Sequence, residues 1–385
     1  MSDAEASDLA RGAVESLPEG GLEALLEAGG ELRVKLGIDP TAPDIHLGHV
    51  VVLDKLADFQ RAGHRVILII GDFTARVGDP SGRSAQRPVL TMAEIEANAE
   101  TFKDQAFKVL DPDRTEVRFN GEWLDMETTD LLELMSKATV ARLLEREDFR
   151  ARMSEGSPVS LLELLYPLLQ GYDSVAIQSD IELGGTDQKF NLLFGRDVQT
   201  AFGQRPQAVM TMPILPGTDG VNRMSKSLGN YVGITEEPAE MFGKLMSIPD
   251  ETMPEYWKLL LREDFPSEEA PNVAKRLLAR RLVDRFWGEG AGGEAEEAFD
   301  RVFVKHQIPE EIDIFELSGT EVHLPELLAD AFGISRSEAR RLIAQGGAKL
   351  DGEVADPDRL DYDRSELEGR VIQLGKRRFA RLSGS

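Results

Sequence analysis

Two histidines three positions apart, His46 and His49, stand at the start of a helical pattern that runs from about Ile45 to about Arg61. That spacing puts both rings on one face of the first turn. Gly48 between them leaves the backbone open on the same side. A helix N-terminus offers unpaired N–H groups and the positive end of a dipole, which suits a phosphate. A neutral imidazole adds a donor where charge builds on a phosphate oxygen. The pattern therefore reads as a turn that holds a nucleotide triphosphate. A metal pair fits less well: the chain has five histidines, no cysteine, and no acidic third ligand at the spacing of a zinc helix. No metal ligand is assigned.

A second stretch with chemistry lies far along the chain, Arg223-Met-Ser-Lys-Ser227. Arg223 and Lys226 are mobile cations that can close over a polyphosphate, and Ser225 and Ser227 add hydroxyls. Alone, such a pentapeptide is an ordinary basic loop. The chain has no Gly-x-x-x-x-Gly-Lys-[Ser/Thr] stretch, so the phosphate chemistry is not that of a P-loop.

The elements that must position these groups follow from periodicity. Apolar runs predict strands over 32–38, 64–70, 116–119, 179–183 and about 208–212. The run from His64 to Ile70 is unbroken, as in a parallel strand buried on both faces. Helices are predicted between them, one from Thr91 to about Val109 with Thr91 and Glu94 as a capping box. This alternation implies an α/β fold, a Rossmann-like doubly wound parallel sheet with ligands beyond the carboxyl ends of its strands. A helical insertion at about 123–172 interrupts it. Its segments 129–144 and 161–170 are apolar on more than one face, which suits a subunit interface or a helical insertion packed on its own domain.

The predicted organisation is a lead-in at 1–31 with a short helix from Ala10 to Leu17, and a catalytic domain at 32–232. An α-helical domain at 233–306, a linker at 307–319 and a small α+β unit at 320–385 follow. In the last unit Ser335 and Glu338 open a helix on which Arg336, Arg340 and, partly, Arg341 share a side.

Composition limits the partners. The 385 residues carry a net charge of −25, so a general attraction to polyanions is excluded and any nucleic acid must meet a local basic patch. From Gly319 onward, eleven basic residues face twelve acidic ones, so nearly all the excess negative charge lies elsewhere. The absence of cysteine excludes disulfides and thiolate zinc. With no apolar span and no secretory hydrophobic region, a cytoplasmic location is expected.

His46-Leu-Gly-His49 resembles the "HIGH" motif, and Arg223-Met-Ser-Lys-Ser227 the "KMSKS" motif, of class I aminoacyl-tRNA synthetases. More narrowly, the chain resembles the bacterial tyrosyl members of that family over nearly its whole length. Gly37-Ile-Asp-Pro-Thr41, Gly78-Asp-Pro-Ser-Gly-Arg83, Tyr166 with Gln170-Gly-Tyr-Asp173, and Gly184-Gly-Thr-Asp-Gln188 carry the likeness. The C-terminal unit resembles an S4 RNA-binding domain, through Ser335-Arg-Ser-Glu-Ala-Arg-Arg341 and Lys349-Leu-Asp-Gly352.

The resemblance implies a two-step tyrosine–tRNA ligase reaction with L-tyrosine, ATP accompanied by Mg2+, and tRNA(Tyr), carried out by a homodimer. It implies an ATP site with Gly37, Asp39 and Thr41 at its edge and His46, Gly48 and His49 on the phosphates and adenine. Gly185 and Asp187 fall at the ribose, Met224 is a further ATP-binding residue, and Lys226 with Arg223 falls at the departing pyrophosphate. Arg83 and Arg87 are expected to assist from a mobile loop. Asp79, Tyr166 and Gln170 match residues that hold the amino acid's ammonium group. Asp173 matches the carboxylate that receives the phenolic hydroxyl, and Gln188 lines the same pocket. Arg336, Arg340, Arg341, Lys349 and Arg377 are the expected tRNA contacts.

Two positions depart from the family. A tyrosine that touches the substrate hydroxyl in many relatives is Lys35 here; by that position Lys35 is expected among the tyrosine-binding residues, and what else besides Asp173 reads the hydroxyl is left open. The first lysine of the mobile motif is Arg223, a planar donor that keeps the charge. Three other readings share parts of the pattern: a tryptophan-specific relative, a small-molecule nucleotidyltransferase, and a non-catalytic RNA-binding regulator on the same fold.

Overall fold

The structure, a computed structural model, describes residues 3–40, 43–80, 91–303, 313–375 and 378–384. It divides into two compact units, Met1–Gly288 and Glu289–Ser385. The first is built on a six-stranded sheet: β1 (Glu15–Leu17), β2 (Arg33–Ile38), β3 (Arg65–Ile70), β4 (Thr115–Phe119), β5 (Ile181–Gly185) and β6 (Ala208–Met212). Their order is β1-β6-β5-β2-β3-β4, parallel throughout except for β1 at the edge. The doubly wound α/β fold is thus as the alternation predicted.

From β2 the chain winds outward through β3 and β4, then returns to lay β5 on the other side of β2. Such a reversal leaves a crevice at the carboxyl ends of the two strands. Here it is opened further. β2 and β5 pair only at Val34↔Ile181 and Lys35↔Glu182, and diverge beyond. Val66, Ile67 and Ile69 of β3 and Leu53, Leu56 and Phe59 of the Leu47–Arg61 helix are fully buried around this sheet. That burial is the main favourable term holding the layers together.

Lys35 is a charged residue within this mostly apolar centre, with no exposed surface at all. Its ammonium lies 2.9 Å from Glu182, itself 1 % exposed, on the neighbouring strand. Removing one partner would leave an uncompensated buried charge, a loss of roughly 3–5 kcal/mol.

Two local expectations are corrected. The lead-in helix is Asp3–Ala10, and Glu15–Leu17 is a strand paired with β6. Gly12 at φ 80° ends the helix before the segment expected to form it. Part of the expected linker is also a strand, Asp313–Leu317, in parallel register with Arg378–Gly384. Phe315 and Leu317 alternate inward there, a period of two too short to stand out from its acidic neighbours.

The helices Pro238–Met246 and Pro271–Trp287 belong to the first unit, whereas Ala291–Phe303 belongs to the second. Backbone bonds tie the segment leading into the former helices to the start of the Leu47–Arg61 helix: Leu47 N–H donates to Val232 O at 2.9 Å, and Ile234 N–H to Ile45 O at 3.0 Å. Arg285 adds a two-pronged bond to Asp54 on the Leu47–Arg61 helix. The second unit has its own five-stranded sheet and a core of Leu324, Leu328, Ala339, Ile372 and Leu382, among others. Its Arg336–Ala344 helix begins as the sequence predicts, with Ser335 Oγ accepting from Glu338 N–H at 3.1 Å.

Candidate active site

A cavity of about 840 Å³ opens at the divergence of β2 and β5. At one end lies the start of the Leu47–Arg61 helix, with His46 as its N-cap. The two imidazoles stack with centroids 3.9 Å apart. His49 Nδ1 accepts from the His46 backbone N–H at 3.3 Å, so a neutral His49 carries its proton on Nε2. Burial holds both rings neutral, pushing His49 down to about 4 and His46 well below its usual range. They are donors rather than cations. Gly48 is needed for fit: a Cβ there would sit 3.0 Å from the His46 ring and 3.5 Å from Met224.

The Arg223–Ser227 stretch lies across the same end. Met224 is buried, and its N–H donates to Leu215 O at 3.0 Å. Arg223 donates to Asp187 at 2.6 Å and Lys226 to Asp44. Burial raises the Asp187 carboxyl and Arg223 opposes that shift. Gly185 precedes it, where a Cβ would stand 2.6 Å from Asp187 Oδ1.

The other end is a pocket beneath the Leu161–Ala176 helix. Tyr166 donates its phenolic hydrogen to Asp39 at 2.9 Å, and Thr74 donates to the other Asp39 oxygen at 2.7 Å. Burial raises Asp39 to about 7 and keeps the Tyr166 phenol protonated. Gln188 donates to Asp79 at 2.8 Å. Asp173 is also buried there, 3 % exposed, and accepts from Trp123 Nε1 at 2.8 Å and Asn120 Nδ2 at 3.4 Å. Desolvation raises it to about 6, against the nearby charge of Lys35.

The structure therefore gathers Gly37, Asp39, His46, Gly48, His49, Asp79, Tyr166, Gln170, Asp173, Gly185, Asp187, Gln188, Arg223, Met224 and Lys226 around one cavity. Lys35 does not line it. Its ammonium faces Glu182, Ser174 and the Gln170 carbonyl, behind the pocket wall, because strand alternation turns it under the helix. Thr41, Arg83 and Arg87 lie outside the described residues, as does Arg377.

In the second unit Arg336 pairs with Glu326, Arg340 reaches His323 at 3.3 Å and Arg341 lies 3.8 Å from Glu338, with Lys349 on the adjoining Ala348–Leu350 strand. Sequence reasoning missed Asp44, Thr74, Asn120, Trp123 and Glu182. Each acts by holding another site residue, a role that leaves no spacing signal. Among the described residues, no group of three or more His, Asp or Glu is placed to hold a metal ion.

The family model described as tRNA synthetases class I (W and Y) matches residues 27–304. The chain belongs to that family. Among its curated relatives, the tyrosine–tRNA ligase of Moorella thermoacetica is 53 % identical over 392 residues, covering 97 % of this chain and 94 % of the relative. That of Thermotoga maritima is 51 % identical over 392 residues, covering 98 % and 96 %. The fold resembles the tyrosyl-tRNA synthetase of Archaeoglobus fulgidus, solved in complex with L-tyrosine. That likeness has a TM-score of 0.62 and 24 % identity, over 76 % of this chain and 98 % of that one. A C-terminally truncated mitochondrial tyrosyl-tRNA synthetase of Aspergillus nidulans gives a TM-score of 0.63 at 22 % identity, over 78 % and 93 %.

Proposed function

We infer that this chain is an aminoacyl-tRNA synthetase that performs the tyrosine–tRNA ligase reaction. Its tyrosine carboxylate attacks the α-phosphate of ATP, forming tyrosyl-adenylate and releasing pyrophosphate. The terminal ribose hydroxyl of tRNA(Tyr) then takes the tyrosyl group and frees AMP. The single observation that carries this reading is the cavity, which joins a neutral His pair at a helix start to a buried carboxylate, Asp173, at the far end of one pocket. Carboxylate is already a nucleophile and pyrophosphate a stable leaving group, so the protein's work is positioning and charge stabilisation.

The roles we assign are supported by the placement of these residues around one cavity. His46 and His49 donate to the phosphates as charge builds, and Arg223 and Lys226 hold the departing pyrophosphate, with Mg2+ entering as part of the ATP substrate. Asp187 and Gly185 meet the ribose. Asp79, Tyr166 and Gln170 take the ammonium group, and Asp173 accepts from the phenolic hydroxyl. A buried acceptor that needs a hydroxyl rejects an analogue lacking it, an effect for which tyrosyl enzymes are the standard illustration.

ATP–pyrophosphate exchange with tyrosine, phenylalanine and tryptophan tests the assignment. Exchange with tyrosine alone is expected. Exchange led by tryptophan would overturn the substrate, and none with any amino acid would overturn the enzyme.

The second unit is assigned to tRNA through an S4-like surface around Arg336, Arg340, Arg341 and Lys349, in the stretch from Gly319 onward where eleven basic residues nearly balance twelve acidic ones. A homodimer is supported by exposed apolar side chains at Leu132, Met135, Val140, Met153, Leu161 and Leu162, of which Leu161 is 81 % exposed. Sedimentation at micromolar concentration is expected to give twice the chain mass.

A further inference from the structure

Lys35 and Glu182 face each other across the last paired rung of β2 and β5, directly behind the amino-acid pocket. Their hydrogen bonds form a closed set. The Lys35 ammonium donates to Glu182, to the Gln170 backbone carbonyl at 3.1 Å and to Ser174 Oγ at 2.8 Å, which uses its three hydrogens. Glu182 accepts from Lys35, from Ser174 Oγ at 3.1 Å, from Gln207 and from the Gln170 side-chain amide at 3.3 Å. Four donors thus converge on one carboxylate.

The last of these bonds has a directional consequence. A carboxylate ion-paired with lysine only accepts, so it must meet the NH2 side of the Gln170 amide. The opposite side, Gln170 Oε1, is then a pure acceptor. It is buried and has no hydrogen-bond partner among the described residues, and Gln170 lines the cavity. An unsatisfied buried acceptor calls for a donor, and a substrate ammonium is one.

We propose that the buried Lys35–Glu182 pair is a positioning device for the amino-acid pocket, which locks the Gln170 amide with its oxygen toward the ammonium group of the substrate. Lys35 keeps Glu182 an acceptor and pins the helix at Gln170 and Ser174, and Glu182 sets the amide. The inference rests on the reading of the pocket as a tyrosine site. It also gives Lys35 a part in recognition without a contact to the substrate.

The test compares the parent with two double variants, since a single change strands a buried charge. Lys35→Met with Glu182→Met removes both charges and the acceptor. Lys35→Met with Glu182→Gln removes the charges but keeps a carbonyl oxygen that can still accept from Gln170. Each is assayed by tyrosine-dependent pyrophosphate exchange. Inhibition is measured with tyramine, which has the ammonium group, and with 3-(4-hydroxyphenyl)propanoate, which lacks it.

In the Met/Met variant, the KM for tyrosine and the inhibition constant for tyramine are expected to rise about 10- to 100-fold, the worth of one hydrogen bond to a charged group. The constant for the propanoate and the KM for ATP should stay within about twofold. The Met/Gln variant should recover most of the loss. Equal weakening of both inhibitors, or no weakening of tyramine, would overturn the proposal. Failure of the parent itself to exchange with tyrosine would instead overturn the functional reading beneath it.

Discussion

Arg223 donates a 2.6 Å hydrogen bond to Asp187. The residue assigned to the departing pyrophosphate is therefore bonded to the residue assigned to the ribose. Lys226 is engaged in the same way with Asp44. In this arrangement the two cations neutralise the acidic rim of the nucleotide end, and ATP must take them from carboxylates. Both pairs are partly exposed, which limits the free energy each holds.

Asp44→Asn should free Lys226 for the triphosphate. The KM for ATP in pyrophosphate exchange is expected to fall about two- to fivefold, the range of an exposed ion pair, with the effect shrinking in high salt. A rise in that KM would mean that Asp44 helps to hold the nucleotide.

His49→Ala removes a neutral donor without disturbing the pocket's far end. Adenylate formation should slow by roughly 2.7–4 kcal/mol of transition-state stabilisation, the range for a lost oxyanion donor. Tyrosine affinity, read by equilibrium dialysis, should be unchanged. Because His49 titrates at about 4, its contribution should not vary between pH 6 and 8. Parent-like exchange would remove His49 from the mechanism.

In the proposed role Asp173 is the stronger acceptor when ionised, with no hydrogen on either oxygen, and burial has raised it to about 6. Tyrosine affinity should hold above that pH and fall as pH drops through it, by about tenfold per unit well below. Asp173→Asn should flatten this dependence and narrow the preference for tyrosine over phenylalanine. Binding measured from pH 5 to 8 decides it.

Asp39 tests the same physics through stability. Its folded carboxyl lies at about 7, above the ordinary 3.8, so the native state holds the proton more tightly than the unfolded chain does. That contribution is complete below about pH 4 and is lost as pH rises through about 7. Asp39→Asn keeps the shape and an acceptor for Tyr166. Relative to the parent, the variant should gain roughly 2–4 kcal/mol between pH 5 and pH 8 in denaturant melts. No relative gain would show that Asp39 stays ionised without penalty.

Ending the chain after Gly288 should leave pyrophosphate exchange intact and weaken tRNA charging. The boundary matters. A cut near Thr320 would strand Asp313–Leu317 without the Arg378–Gly384 strand it pairs with. Unaltered charging would remove the second unit from tRNA binding.

Much of this architecture was legible in the sequence because its signals are local. The Val66–Ile70 run had to be a buried strand, and Thr91 with Glu94 had to start a helix. The paired histidines were legible as one end of the cavity because a helix start and its donors are neighbours in sequence. What was not legible depends on contacts between distant segments. Trp123 becomes a partner of Asp173 only when two helices meet, 50 residues apart in the chain. Lys35 is the clearest case. Its position, by resemblance to relatives with a tyrosine there, suggested a substrate contact, and only the strand register placing Glu182 beside it shows where the charge goes. The short strands at Glu15–Leu17 and Asp313–Leu317 escaped for a related reason, since three to five residues carry too little periodicity to register.

The Glu15–Leu17 strand has a consequence for handling the protein. By pairing with Val209, Met210 and Thr211 it covers the outer backbone of β6, whose side chains are all buried. Trimming the chain to start near Leu32 would uncover a flat, apolar margin with free N–H and C=O groups, a template for chain-to-chain strand addition. Such a truncation should give concentration-dependent aggregates, even though every residue that lines the cavity is retained. Three residues at the start of the chain thus act as a hem that keeps the catalytic unit from self-assembling through its own sheet.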